Sequence, residues 1–366
     1  MLNEIVFNYI KNYDILKIKD SENEEFLAQQ KNLCLYHYHQ NKYYKKIIDD
    51  IFSFESIKNI DESINNIPYL PVDLFKKYDL YSTNLENIFK ILRSSGTTGN
   101  KPSKIFLDRE NANSQTLSLS KIFTEFTGLN RPTMLIADCK DTIKNKKSLS
   151  ARGAGIIGFS YLCRKPIFAL NSEMNLILRS IENLVSDEKN KNILLFGFTY
   201  IIWLHMLKIK LPNELRLELS KKAVLVHGGG WKKLKINNIS KDQFKSKVEE
   251  CLGIKKIINY YGMIEQTGSI FMECEKGWLH SNPLCTVIAR DQKTLKKLNP
   301  REIGIAQVIS SIPTSYPGNS LLTDDLISIG GIDDCNCGRK GVYFDILGRL
   351  KASDPRGCSD TYRHKG

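Results

Sequence analysis

Apolar positions fall into two textures along this chain. Over residues 1–85 they recur at mixed steps of three and four, at Phe26, Leu33, Tyr36 and through Tyr43 to Phe54, which predicts a mostly helical segment. The segment Ile67-Pro68-Tyr69-Leu70-Pro71-Val72 must leave the helix, because each proline lacks an N–H and disfavours helix in the residue before it. Beyond it, short apolar runs alternate with helical periods. Thr133 to Ala137, Ile193 to Phe198 and Ala223 to Val226 read as buried strands. Residues 173–187 predict a helix with Leu176, Leu178, Ile181 and Val185 on one broad face. Ser240-Lys241-Asp242-Gln243 reads as a capping box; Phe244, Val248 and Leu252 follow at steps of four, and Gly253 ends the helix. Strand-like segments continue at Ile270, Val287, Gln307-Val308-Ile309 and Leu326-Ile327. The alternation predicts an α/β protein with a largely parallel sheet.

Composition narrows the class of partner. With 366 residues, the chain is long enough for a large core and several structural units. Its 42% hydrophobic and 25% charged residues are a globular balance. No apolar run is long enough to span a membrane, and the start, MLNEIVFNYIKNYD, mixes acids and polar groups into its apolar residues, unlike a secretory signal. The cytoplasm is the expected compartment. The nine cysteines are odd in number and scattered through a long chain, so reduced thiols are expected rather than a disulfide framework. A net charge of +13 suits an anionic nucleotide or an acidic carrier protein. The lysines form no aromatic-interleaved stripe, and nucleic acid is not an expected partner.

Three segments carry candidate chemistry. Ser94-Ser95-Gly96-Thr97-Thr98-Gly99-Asn100-Lys101 offers two glycines that let backbone approach an anion, four hydroxyls, and a lysine to neutralise charge. It does not fit the GxxxxGK[ST] loop. The plain alternative is a polar surface turn. Asn259-Tyr260-Tyr261-Gly262-Met263-Ile264-Glu265-Gln266-Thr267-Gly268 follows a predicted strand. A tyrosine there can lie on an adenine face and Glu265 can ligate Mg²⁺ through oxygen; packed tyrosines with one solvated glutamate are the alternative. Val226-His227-Gly228-Gly229-Gly230-Trp231 puts three glycines just past a strand, which suits either a flat ligand at the carboxyl edge of a sheet or a simple loop.

In their order these segments, with Thr323-Asp324-Asp325 and Gly348-Arg349-Leu350-Lys351, resemble the adenylate-forming superfamily. NYYGMIEQTGSIFMEC, SYPGNSLLTDDL, CNCGRKG and the ending RGCSDTY resemble its LuxE-type acyl-protein synthetases, from about residue 68 to the end; the phenylacetate-CoA-ligase branch is also similar. The resemblance implies an α/β fold corresponding to the large N-terminal domain of adenylate-forming enzymes, preceded by a helical segment. It implies a helical segment at 1–85, the adenylate-forming core at 86–347, and a hinge with a short tail at 348–366 in place of a full C-terminal domain. It implies ATP and Mg²⁺ as cofactors. Ser94 to Gly99 with Lys101 would hold the ATP phosphates, Gly228 and Gly229 would line the adenine, and Tyr261, followed by Gly262, would stack on it. Glu265 would bind Mg²⁺, Asp325 the ribose hydroxyls, and Arg349 the ribose or phosphate. A carboxylic acid, fatty or aromatic, would become an acyl adenylate and then a thioester on Cys358. The acyl acceptor would be a reductase or a carrier protein. Phe198, Tyr200 and Trp203 would partly line the acid pocket. Transfer to CoA or a carrier without Cys358, and a non-catalytic nucleotide-binding scaffold, are the rival readings.

Departures from the superfamily pattern are specific. Ile264 stands where Thr or Ser usually precedes the Glu, leaving Thr267 as a candidate hydroxyl. Asp324 stands where Gly is common. The adenylation lysine is unassigned among Lys101, Lys104 and Lys351. Separately, Cys335-Asn336-Cys337 offers two thiolates that can share a zinc ion, and Cys274 with His280 would complete a Cys₃His set. The alternative is three buried cysteines and a surface histidine.

Overall fold

The structure is a computed structural model that describes residues 2–13, 24–94, 101–144, 150–230 and 239–350. Contacts divide the chain into two compact units. Among the described residues the first takes in those up to Phe126 and those from Gly262 onward, and the second those from Thr127 to Tyr261.

The first unit opens with helices. Leu2–Asn12 buries Val6, Tyr9 and Ile10 against Leu284 and Ile312. Glu24–Gln40 buries Phe26, Leu27, Leu33 and Cys34. Asn41 breaks this run and starts the next helix, Lys42–Ile47: its side chain accepts from Tyr43 N at 3.1 Å and Tyr44 N at 2.9 Å, satisfying two donors that a helix start leaves orphaned. The chain does leave the helix at the prolines, and a short helix, Leu74–Lys77, follows them. β1 (Leu70–Pro71) runs parallel to a later strand, with Leu70 opposite Leu321, in a place where a missing N–H is tolerated. β2 (Ile88–Arg93) and β3 (Lys104–Asp108) form an antiparallel hairpin, and the helix Arg109–Thr127 follows.

The second unit is an α/β layer. β4 (Thr133–Cys139), β5 (Pro166–Leu170), β6 (Ile193–Phe198), β7 (Ala223–Gly228) and β8 (Lys256–Tyr261) are all parallel, in spatial order β5-β4-β6-β7-β8. β4, β6 and β7 are buried at every position, which is why they read as unbroken apolar runs. The capping box before the helix Lys241–Leu252 is present in both directions, and Gly253 closes that helix at φ +77°. The helix expected over 173–187 is shorter, Leu178–Ser186. Asn171 accepts from Glu173 N and Asn175 N at 3.1 and 2.8 Å, so the preceding residues are spent in a turn. Chain order reverses between β4 and β6, and in such sheets ligands sit beyond the carboxyl ends of the strands near that reversal.

The chain then re-enters the first unit. β9 (Phe271–Glu273), β10 (Leu279–His280), β11 (Cys285–Arg290), β12 (Ile303–Ser310), β13 (Ser320–Ile332) and β14 (Val342–Arg349) form a sheet in the order β11-β12-β13-β14-β10-β9. Every one of these pairings is antiparallel. The expectation of a largely parallel sheet therefore holds for the second unit only. From β9 onward the connections lack the crossover helix that a parallel pair requires.

Candidate functional site

In the first unit, the hairpin β2–β3 is fastened where its loop begins. Ser94 N donates to Ser103 O at 3.1 Å, and Ser103 N donates to Ser94 Oγ at 2.8 Å. The loop between them includes Ser95, Gly96, Thr97, Thr98 and Gly99, which lie outside the described residues. Lys101 is exposed, while Lys104 is engaged by Asp79 at 2.8 Å. Lys351 is not among the described residues.

Glu265 sits in a short turn, Ile264–Gln266, and is only 7% exposed. The turn is held from several sides. Gln266 Nε2 donates to Gly318 O at 2.8 Å and Val308 O at 3.0 Å. Ser118 Oγ donates to Gly268 O at 2.8 Å. Gly268 has φ +90°, and a Cβ there would stand 2.7 Å from Gln115 Cα, so only glycine lets this turn lie on the helix Arg109–Thr127. Burial raises the Glu265 pKa; the Ser103 hydroxyl and the Arg349 charge oppose that rise, and Asp325 adds to it. Glu265 is therefore not the solvated surface acid of the plain alternative. Ile264 supplies no hydroxyl, and Thr267 Oγ1 donates to Ile264 O at 3.0 Å.

Asp325 and Arg349 lie opposite each other in the β13–β14 pair, and Arg349 Nε donates to Asp325 Oδ1 at 2.6 Å. Strand alternation explains the Thr-Asp-Asp variant. Thr323 and Asp325 share the buried face, where Thr323 Oγ1 accepts from Asp325 N and donates to Ala306 O, each at 3.1 Å. Asp324 points to the other, half-exposed face, and its carboxyl pKa is raised by burial and by Asp73.

In the second unit, Gly228 ends β7 and Tyr261 ends β8, both at the carboxyl edge of the parallel sheet. The adjacent tyrosines face opposite ways. Tyr260 packs among Phe159, Phe196 and Gly228, and a Cβ on Gly228 would come within 2.6 Å of its ring. Tyr261 is half-exposed. Gly229 and Gly230 turn the chain at φ +89° and +76°. His227 is buried, with Nδ1 2.8 Å from Thr199 Oγ1; burial, reinforced by Lys245 and Lys241, lowers its pKa to about 3. It is a neutral, fully buried residue packed on Phe244. Phe198 lies in the aromatic core with Phe196, whereas Trp203 packs on Phe244 and lines a surface pocket with Leu204, Leu207, Lys208 and Lys247. Cys358 lies outside the described residues.

Cys274, His280, Cys335 and Cys337 come together in the first unit, with their sulfur and nitrogen atoms all within 4.8 Å of one another. His280 is fully buried, contrary to a surface histidine, and Cys337 Sγ is 3.4 Å from its Nε2. Burial and the Arg339 charge lower the His280 pKa to about 4.

Two features escaped the sequence reading. Ser103 stands beside Glu265, and its only signal was its place just after the Ser/Thr/Gly run. Asp138, 1% exposed at the end of β4, lies 3.4 Å from Arg152 at the start of the helix Ala151–Ser160. Burial raises the Asp138 pKa against that partner. An Asp inside an apolar run was the available signal.

The two sheets and the motif residues on them define the fold of an adenylate-forming ligase. A solved 2-hydroxyisobutyryl-CoA ligase, in an open conformation with 2-HIB-AMP and CoA, superposes with a TM-score of 0.67 over 94% of this chain and 83% of that one, at 14% identity. The same ligase in its thioesterification state gives a TM-score of 0.64, covering 92% and 73% at 16% identity. At such identities the likeness establishes the fold. The family follows from sequence: this chain belongs to the acyl-protein synthetase LuxE family, which matches residues 9–365. It is similar to the long-chain-fatty-acid–luciferin-component ligases of Vibrio harveyi, at 25% identity over 88% of this chain and 83% of that one, and Aliivibrio fischeri, at 24% over 88% and 84%. The chain is thus a ligase that activates a carboxylic acid as acyl-AMP and passes the acyl group to protein. Among the described residues no helix is long and apolar enough to cross a membrane.

Proposed function

We propose that the chain adenylates a fatty or aromatic acid with ATP, holds the acyl group as a thioester on Cys358, and hands it to a reductase or carrier protein. The observation that carries this reading is the gathering of Glu265, Ser103, Asp325 and Arg349, distant in sequence, in one charged and largely buried neighbourhood. In this reading Ser94 to Gly99 and Lys101 bind the phosphates, and Gly228, Gly229 and Tyr261 bind the adenine, with Gly262 bending the chain after it. Asp325 accepts from the ribose hydroxyls, and Arg349, which donates to Asp325 Oδ1, contacts ribose or phosphate. The donor set of Glu265 and its Ser103 neighbour is all oxygen, which fits a hard divalent cation such as Mg²⁺, supplying charge neutralisation at the phosphates.

The chemistry needs no protein base for its first step, because the substrate carboxylate is already ionised at neutral pH. A carboxylate oxygen bonds the α-phosphorus and the bond to pyrophosphate breaks. The Cys358 thiolate, its proton lost to solvent, then attacks the acyl carbonyl, and AMP leaves. Arg356, Arg363 and His364, close in sequence, favour the thiolate. An ATP-consuming reaction through a free thiol fits the cytoplasm, where thiols stay reduced.

The test is pyrophosphate release against a panel of fatty and aromatic acids, with labelled acid traced on denatured protein. Acid-dependent release together with label on the chain is expected. Release with no label on protein, and label on CoA when CoA is added, would overturn the Cys358 step in favour of a CoA ligase.

A further inference from the structure

We propose that Cys274, His280, Cys335 and Cys337 bind one structural zinc ion that clamps the β9–β10 turn to the β13–β14 turn. The ligand atoms already lie within 4.8 Å of one another, and the 3.4 Å between Cys337 Sγ and His280 Nε2 is close to the separation of about 3.6 Å that tetrahedral zinc–sulfur and zinc–nitrogen bonds impose.

The two turns that present the thiols are built alike. In Cys274-Glu275-Lys276-Gly277, Gly277 N donates to Cys274 O at 2.9 Å, Gly277 has φ +83°, and Lys276 N donates to Cys274 Sγ at 3.4 Å. In Cys335-Asn336-Cys337-Gly338, Gly338 N donates to Cys335 O at 2.9 Å and Gly338 also has φ +83°. Arg339 N donates to Cys337 Sγ at 3.4 Å. Main-chain N–H groups aimed at sulfur stabilise thiolate, the form that ligates metal. Arg339 also forks onto Glu275 through NH1 at 2.5 Å and NH2 at 3.2 Å, tying one turn to the other. The imidazole of His280 stacks on Tyr343, with ring centres 5.7 Å apart.

The donor set selects the metal and the role. Three sulfurs and an imidazole without a carboxylate are soft donors suited to zinc rather than Mg²⁺ or Ca²⁺. Four protein ligands close a tetrahedral shell and leave no open position for substrate, so the ion is structural. Its place in the register agrees: Ile332 opposite Val342 is the turn end of the β13–β14 pair, and Asp325 opposite Arg349 is the other end. Seven residues of strand separate the two, on the order of 23 Å. The ion fixes the hairpin that carries Asp325 and Arg349 from its remote end.

The experiment is elemental analysis of the full chain purified without added metal. About one zinc per chain is expected, released stoichiometrically to a chromogenic chelator when a mercurial caps the thiols. Cobalt replacement should give sulfur-to-metal charge transfer and tetrahedral visible bands. Cys335→Ser/Cys337→Ser should lower the zinc to below about a tenth per chain and lower the thermal midpoint. Where that variant does not fold, the chelator titration and cobalt spectrum of the unaltered protein decide. Folded protein without zinc that takes up no cobalt, or a disulfide among these cysteines by mass spectrometry, would overturn the proposal. A zinc-loaded protein whose acid-dependent pyrophosphate release is lost on metal removal while the fold persists would overturn the structural role.

Discussion

Arg349 Nε donates to Asp325 Oδ1 at 2.6 Å, and the two residues lie opposite each other in the β13–β14 register. Asp325 has a largely buried side chain and Arg349 a partly open one, at 10% and 26% exposure. The guanidinium therefore fixes the direction of the Asp325 carboxylate. Asp325→Asn removes the charged acceptor proposed for the ribose hydroxyls. Hydrogen bonds to charged groups contribute about 1.5–3 kcal/mol, so ATP affinity should fall by roughly 10- to 150-fold with little change in thermal midpoint. Calorimetric titration of ATP measures this; unchanged affinity would remove Asp325 from the nucleotide site.

Glu265 gives a second prediction, with a sign fixed by its surroundings. Burial raises its pKa, so protons compete for the carboxylate sooner than at an exposed glutamate as pH falls. The Mg²⁺ concentration needed for half-maximal pyrophosphate release should therefore increase toward acid pH. Glu265→Gln should reduce release by about 100-fold or more, from the loss of one charge at the phosphates, and should erase that pH dependence. A mutant that keeps the wild-type Mg²⁺ profile would show that the cation is held elsewhere.

The legible parts of this molecule were those where one local rule decides. β4, β6 and β7 are buried on both faces, so they appear as apolar runs, and the Ser240 box depends on four consecutive residues. The antiparallel direction of β11 to β14 was not legible, because strand direction depends on connections rather than on burial. Asn171 shortened a predicted helix through its side chain, which apolar periodicity does not register. In the site, Glu265 was legible as a motif residue, whereas its burial beside Ser103 depends on the packing of Gly268 against Gln115. The proposed zinc ligands were legible as a set because cysteine and histidine are rare. Their convergence depends on the pairing of β10 with both β9 and β14.

Gly228 supplies a packing prediction. A Cβ there would lie 2.6 Å from Tyr260 Cε1, in a ring cluster that includes Phe159 and Phe196. Gly228→Ala must displace that ring, and overpacking of this kind costs about 1–3 kcal/mol. Urea unfolding should show the loss. A variant as stable as the parent would mean that Tyr260 yields freely.

Cys358→Ser separates the two half-reactions. Acid-dependent pyrophosphate release should persist, while label on the denatured chain should vanish. Serine keeps the size but, with its far weaker acidity, not the nucleophile. Label that survives the substitution would place the thioester on another residue.

The last prediction concerns acid stability. His37 is fully buried; Nε2 is 3.2 Å from Pro313 O and Nδ1 is 2.8 Å from Ser82 Oγ. A carbonyl can only accept, so Nε2 carries the proton and Nδ1 accepts from the serine hydroxyl. Burial, against the favourable Pro313 carbonyl, lowers the pKa to about 3. In the unfolded chain histidine titrates near about 6.5. Between those values the unfolded state binds more protons, so the stability from neutral His37 is complete above about pH 6.5 and is lost as pH falls toward 3, at about 1.4 kcal/mol per pH unit. His37→Gln keeps a donor and an acceptor but cannot titrate. Urea unfolding at pH 7.5 and 5.5 should show a smaller difference between the two pH values in the variant than in the parent, by about 1 kcal/mol. Equal differences would mean that His37 is already protonated in the folded protein.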